Sequence, residues 1–143
     1  QEIINRNLQK KFKKIEQTEV RFEKIMCDDA EYLFVAYGSS ARICQKAVLL
    51  GRERGIKVGL LRPITLFPFP SIELAKLAKQ VKGMLSVEMS AGQMVEDVRL
   101  SVAGEVPVEH YGRLGGIMPA PDEVLNVLEE KFIKEKTYAG HTV

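Results

Sequence analysis

Gly38, Ser39 and Ser40 stand where a short apolar run gives way to a helical pattern, a placement at which main-chain amides and hydroxyls can cradle an anion or another small ligand. One glycine falls short of the Gly-x-Gly-x-x-Gly spacing of dinucleotide sites, and Arg62 stands where an acidic ribose partner would close the next strand. Nicotinamide binding is therefore disfavoured, and no Gly-Lys-Ser/Thr phosphate loop occurs. Glu88, at the end of a later apolar run, could serve as a general base or hold a cation. The plainer expectation is that it caps the neighbouring helix or pairs with an arginine such as Arg113. His110 and His141 are the only histidines, so a Ser-His-Asp arrangement would rest on His110 alone. Cys44 beside Ile43 reads as a small core residue, and metal-ligand spacing is absent. Read from these residues, the chain is a scaffold or interaction domain with no catalytic residues or metal ligands of its own.

The elements that must position these residues begin with residues 31–70. Residues 33–37 and 56–61 are apolar runs without polar alternation, the pattern of strands covered on both faces. Between them Ile43, Ala47 and Leu50 recur at helical spacing, with Ser39 or Ser40 as cap, Arg52 and Arg54 in the last turn and Gly55 as left-handed stop. This is a β-α-β unit. Pro63, Pro68 and Pro70 then stiffen a loop that keeps Phe67 and Phe69 out of any helix, and Ser71 is placed to cap a helix with Leu74, Leu77, Ala78 and Val81 inward. Residues 84–89 form a third strand, followed by a tight turn at 90–92. A helix follows, with Glu96 and Asp97 at its positive end and Met94, Val95, Val98 and Val102 inward. Residues 106–110 form a fourth strand, Gly115 and Gly116 a turn, and Pro121 opens a last helix with Leu125, Leu128 and Phe132 inward and a Glu130–Lys134 pair outside. Residues 20–26 suit a short edge strand or a frayed helix end. Residues 1–19 suit an amphipathic helix with Ile4, Leu8, Phe12 and Ile15 on one side. Within it the Lys10–Lys14 run is read as a solvated face more than as a handle for an anionic partner. The fold class is α/β, a doubly wound, mainly parallel sheet in three layers.

The 143 residues suffice for one domain with a core, and 45% hydrophobic with 28% charged residues is ordinary for a globular chain. A net charge of +2 announces neither a nucleic-acid nor a membrane partner. No apolar run reaches the roughly 18 residues of a membrane span. Neither a signal peptide nor a Cys-x-x-Cys pair is present, which suits a reduced cytoplasmic setting. The start at Gln1 reads as a fragment of something longer.

VAYGSSARICQKAV, GIKVGLLRPITLFPFP, GQMVEDVRLSV and YGRLGGIMPAPDEVL resemble successive segments of the C-terminal, transketolase-like domain in the alpha chain of a 2-oxoacid:ferredoxin oxidoreductase. RPITLFPFP is the most specific of them and resembles the branched-chain 2-oxoacid or 2-oxoglutarate group. The resemblance implies an enzyme that oxidatively decarboxylates a 2-oxo acid to acyl-CoA and reduces ferredoxin, with thiamine diphosphate, magnesium, iron–sulfur clusters and coenzyme A in the complete assembly. None of these is expected on this piece. The implied partners are other domains and subunits of the oxidoreductase and, through them, ferredoxin; a homo-oligomer is left open.

The resemblance also implies five strands with an antiparallel edge, for which residues 20–26 are the remaining stretch, giving the order 20–26, 56–61, 33–37, 84–88, 106–110. Expected domain bounds are a connector at 1–19, the α/β domain at 20–136 and a tail at 137–143. Arg62, Phe67, Phe69 and Arg113 are expected at an assembly surface. The alternative is a free-standing small-molecule or nucleotide-binding module using Gly38, Ser39 and Ser40.

Overall fold

A computed structural model describes residues 20–89, 92–112 and 118–134. The expected connector at 1–19 with its lysine run, most of the 90–92 turn, Arg113, the Gly115–Gly116 turn, His141 and the tail at 137–143 lie outside the described residues. Within them the chain runs β1 (Phe22–Ile25), β2 (Tyr32–Ala36), α1 (Gly38–Glu53), β3 (Val58–Pro63), α2 (Ser71–Ala78), β4 (Gly83–Glu88), α3 (Gln93–Val102), β5 (Val108–Gly112) and α4 (Pro121–Leu128). A π-helical segment, Glu129–Lys134, continues α4.

The sheet order is β1-β3-β2-β4-β5, with β1 antiparallel to β3 and the other pairs parallel. This is the expected order, and residues 20–26 do supply the antiparallel edge. Period-two alternation divides each central strand between two cores. Phe34, Leu60, Leu85 and Val87 face α1, α4 and the π-helix, where Ala47, Val48, Leu125 and Phe132 pack. Leu33, Val35, Leu61 and Met84 face α2 and α3, where Leu74, Leu77, Val98 and Val102 pack. Helices therefore cover both faces, and β2 and β4 are buried at every position.

Several boundaries move, each for a local reason. β3 begins at Val58 instead of Ile56 because the Ile56 amide donates to Gly51 O at 2.8 Å and the Gly55 amide to Arg52 O at 3.1 Å, closing α1 with a Schellman motif. Gly55 has φ +80, as the cap requires. β5 begins at Val108 and not Val106, whose side chain is spent on the α3 core. Neither serine cap forms. α1 is preceded by Tyr37 and α2 by Pro70 without a side-chain cap, and Ser71 Oγ instead meets Ser101 Oγ of α3 at 3.0 Å. The ion pair outside the last helix joins Lys134 to Glu129, not to Glu130. The π-helical turn brings i and i+5 together where an α-helix would bring i and i+4.

The approach of β1 to the sheet depends on Gly59. A Cβ there would lie 2.8 Å from Met26 O and 3.1 Å from Cys27 Cα, so the chain after β1 crosses directly over it. Arg52 fastens that crossing. Its guanidinium donates to both carboxylate oxygens of Asp29 at 2.8 Å, to Met26 O at 2.7 Å and, through Nε, to Val58 O at 3.1 Å. Gln80 Nε2 adds donations to Cys27 O, Asp28 O and Ala30 O.

Candidate functional site

The winding of the sheet reverses between β2 and β4, since β3 lies on one side of β2 and β4 on the other. Ligands of such sheets bind outside the carboxyl ends at that point. Here Tyr37, Gly38, Ser39, Ser40 and Met89 line a groove of about 280 Å³, so the structure brings the three expected turn residues together with the residue that follows β4. Gly38 has φ +60 and open space around a hypothetical Cβ, so the backbone conformation, not crowding, calls for glycine.

On the opposite face of β4, Glu88 is 1% exposed. Its Oε1 accepts the Met94 amide at 2.7 Å and its Oε2 the Val95 amide at 3.3 Å, so it neutralises the positive end of α3. Its role is the helix cap anticipated from its position. His110, paired in register with Ser86, places Nδ1 3.6 Å from Glu88 Oε2. Among the described residues a histidine is thus the polar side chain next to the carboxylate, and the expected partner Arg113 lies outside them. The alternation of β4 and β5 would have revealed it, because Ser86, Glu88 and His110 share one face once the two strands are neighbours. Glu88 is committed to main-chain amides, and Ser86 is fully buried, so this trio is not arranged as a nucleophile and base.

The proline-rich loop splits its two aromatic rings. Phe67 is 80% exposed, whereas Phe69 packs against the α2–α3 core. The Phe67–Pro68 peptide bond is cis. Phe67, Phe69 and Ile72 join Val20 and Phe22 around a groove of about 280 Å³, and Ile64 and Leu66 continue the exposed apolar surface. Arg62 lies on the edge pair β1–β3, with Nη1 3.6 Å from Glu23 Oε2.

Cys27 and Cys44 are buried, and burial pushes both thiols up; Cys44 is the more strongly affected. Among the described residues no group of three or more His, Cys, Asp or Glu side chains could hold a metal ion. No helix among the described residues is long and apolar enough to cross a membrane.

Residues 30–124 match the family of the pyruvate:ferredoxin oxidoreductase core domain II. Ketoisovalerate oxidoreductase subunit VorB of Methanothermobacter thermautotrophicus is 48% identical over 129 residues, which are 90% of this chain and 36% of that protein. The 2-oxoglutarate synthase subunit KorA of Methanothermobacter marburgensis is 35% identical over 107 residues, 75% of this chain and 28% of its own. The chain therefore spans about a third of the length of these relatives. Among solved structures, the 2-oxoglutarate:ferredoxin oxidoreductase from Magnetococcus marinus, with 2-oxoglutarate, coenzyme A and succinyl-CoA bound, has the same fold. Its TM-score is 0.77 at 20% identity, over 90% of this chain and 23% of that one.

Proposed function

This chain belongs to the pyruvate:ferredoxin oxidoreductase core domain II family, and from that premise we propose that it is the non-catalytic, transketolase-like assembly domain of a 2-oxoacid:ferredoxin oxidoreductase alpha chain. The complete enzyme would oxidatively decarboxylate a 2-oxo acid, pass the electrons to ferredoxin and transfer the acyl group to coenzyme A. Thiamine diphosphate, magnesium and the iron–sulfur clusters belong in this reading to the other domains and subunits. The observation that carries it is the family match across both halves of the sheet, from Ala30 before β2 into α4.

A structural role is supported by the chemistry of the described residues. The one fully buried carboxylate, Glu88, closes a helix, and both thiols lie in the core. What the domain offers outward is the apolar surface around Phe67, which suits docking against another part of the same enzyme. A branched-chain 2-oxo acid is the favoured substrate class, because identity to the ketoisovalerate subunit is 48% against 35% for the 2-oxoglutarate one. The setting is cytoplasmic.

Ferredoxin reduction by the complete enzyme, purified through this chain, tests the reading with 3-methyl-2-oxobutanoate, 2-oxoglutarate and pyruvate as competing substrates. The expected result is coenzyme A-dependent reduction with 3-methyl-2-oxobutanoate preferred. An assembly containing this chain that reduces no ferredoxin with any of the three would overturn it.

A further inference from the structure

We propose that the groove beside the proline-rich loop is covered by residues 1–19 of this same chain, whose apolar stripe of Ile4, Leu8, Phe12 and Ile15 docks on Phe22, Phe67, Phe69 and Ile72. The inference rests on the assembly reading of the Phe67 surface and names its occupant. In that reading the lead-in is the connector to a preceding domain, so docking it here also fixes how the two domains are presented to the other subunits. The route of the chain decides the choice. Residues 1–19 lie outside the described residues and join them at Val20, which itself lines the groove. Arg21 is then pinned to the root of the loop: its amide donates to Thr65 Oγ1 at 3.0 Å, and its carbonyl accepts the Ile64 and Thr65 amides at 2.9 and 3.2 Å. Thr65 Oγ1 in turn donates to Pro68 O at 3.0 Å, so the entering chain and the loop that bears Phe67 are held together.

The lead-in supplies the complementary half of the contact. Successive spacings of four, four and three residues put Ile4, Leu8, Phe12 and Ile15 on one side of a helix, with Lys10 and Lys13 on the other. A helix of this length is marginal in water unless its apolar face is packed against something. Ile15 is five residues from Val20, so even a fully extended connection keeps it within about 18 Å of the groove. A segment tethered over so short a span is present at an effective concentration on the order of millimolar, against which a segment of another subunit must compete. Docked outside the two cores, the lead-in can open without unfolding the sheet, so a local probe reports it and the melting temperature does not.

The test is the rate of thiol alkylation by iodoacetamide in the full 143-residue chain carrying Ile72→Cys, with and without the pair Leu8→Ser and Phe12→Ser. The native thiols, Cys27 and Cys44, are buried, so the introduced one carries the signal. Leu49→Cys is the control, because Leu49 is 56% exposed against 59% for Ile72 and lies on α1, across the sheet from the groove. A lead-in seated nine-tenths of the time should slow the reaction at position 72 about tenfold, and the two serines should remove that protection. Position 49 should react equally in both backgrounds, and dilution of the chain should leave the protection at position 72 unchanged. Equal rates at position 72, an equal change at position 49, or protection lost on dilution, as a second copy would give, would each overturn the proposal. Recovery of the other subunits is not read in this experiment, so any of those results would leave the assembly reading standing.

Discussion

Glu88 and His110 meet beneath the N-terminus of α3, with His110 Nδ1 3.6 Å from Glu88 Oε2 and that carboxylate accepting the Met94 and Val95 amides. Among the described residues the carboxylate is the only acceptor on these two buried amides, so Glu88→Ala should leave both unpaired, at about 1–3 kcal/mol for each. Glu88→Gln keeps one acceptor oxygen and should cost about half as much. Chemical denaturation of the three proteins checks the ranking, and a Glu88→Ala variant as stable as the parent would show that the cap contributes nothing.

Gly59 carries the crossing of the β1–β2 connection. Gly59→Ala forces a methyl to 2.8 Å from a main-chain oxygen, which cannot swing aside as a side chain could. A loss of about 1–3 kcal/mol is expected. Gly83→Ala meets the Phe132 ring at 2.5 Å, a contact that disturbs the stacking of that ring on Tyr32. Its effect should appear in the near-ultraviolet circular dichroism as well as in the melting temperature, whereas Gly59→Ala should alter the melting temperature alone.

The Asp29–Arg52 clasp gives a dependence on pH of known sign. The hydrogen bonds from Arg52 hold the Asp29 carboxyl below its ordinary range. A carboxyl with a depressed folded-state pKa contributes stability above its unfolded pKa of roughly 3.9 and loses it as pH falls through the lower folded value. The difference in melting temperature between the parent and Asp29→Asn should therefore be constant near neutrality and shrink in acid below about pH 4. A difference that grew on acidification would contradict the clasp.

The central strands β2, β3 and β4 were legible in the sequence as mostly apolar runs, as strands covered on both faces must be, while residues 20–26 alternate, and their order came with the resemblance. The resemblance then supplied the antiparallel edge. Element ends were less legible because they depend on tertiary partners. Ile56 belongs to the cap of α1, and Ser71 is drawn to Ser101, a residue 30 positions away. At the candidate site, Gly38, Ser39 and Ser40 could be read from a strand-to-helix junction. The Glu88–His110 contact and the four donations of Arg52 could not, since each joins residues brought together by the sheet. The sequence treated Phe67 and Phe69 alike, but the loop turns only Phe69 toward the core.

That division of the two rings offers the most direct test of the assembly role. Phe67→Ser should leave the melting temperature of the chain within about 1 °C, since an exposed ring gives up little on truncation, and should sharply reduce recovery of the other subunits when the enzyme is purified through this chain. Phe69→Ser should instead lower the melting temperature, because it removes a ring packed on the α2–α3 core. Co-purification of the Phe67→Ser chain with its subunits is the decisive measurement: loss of the partners from a normally folded chain is the predicted result, and full recovery of an intact, active complex would contradict the account.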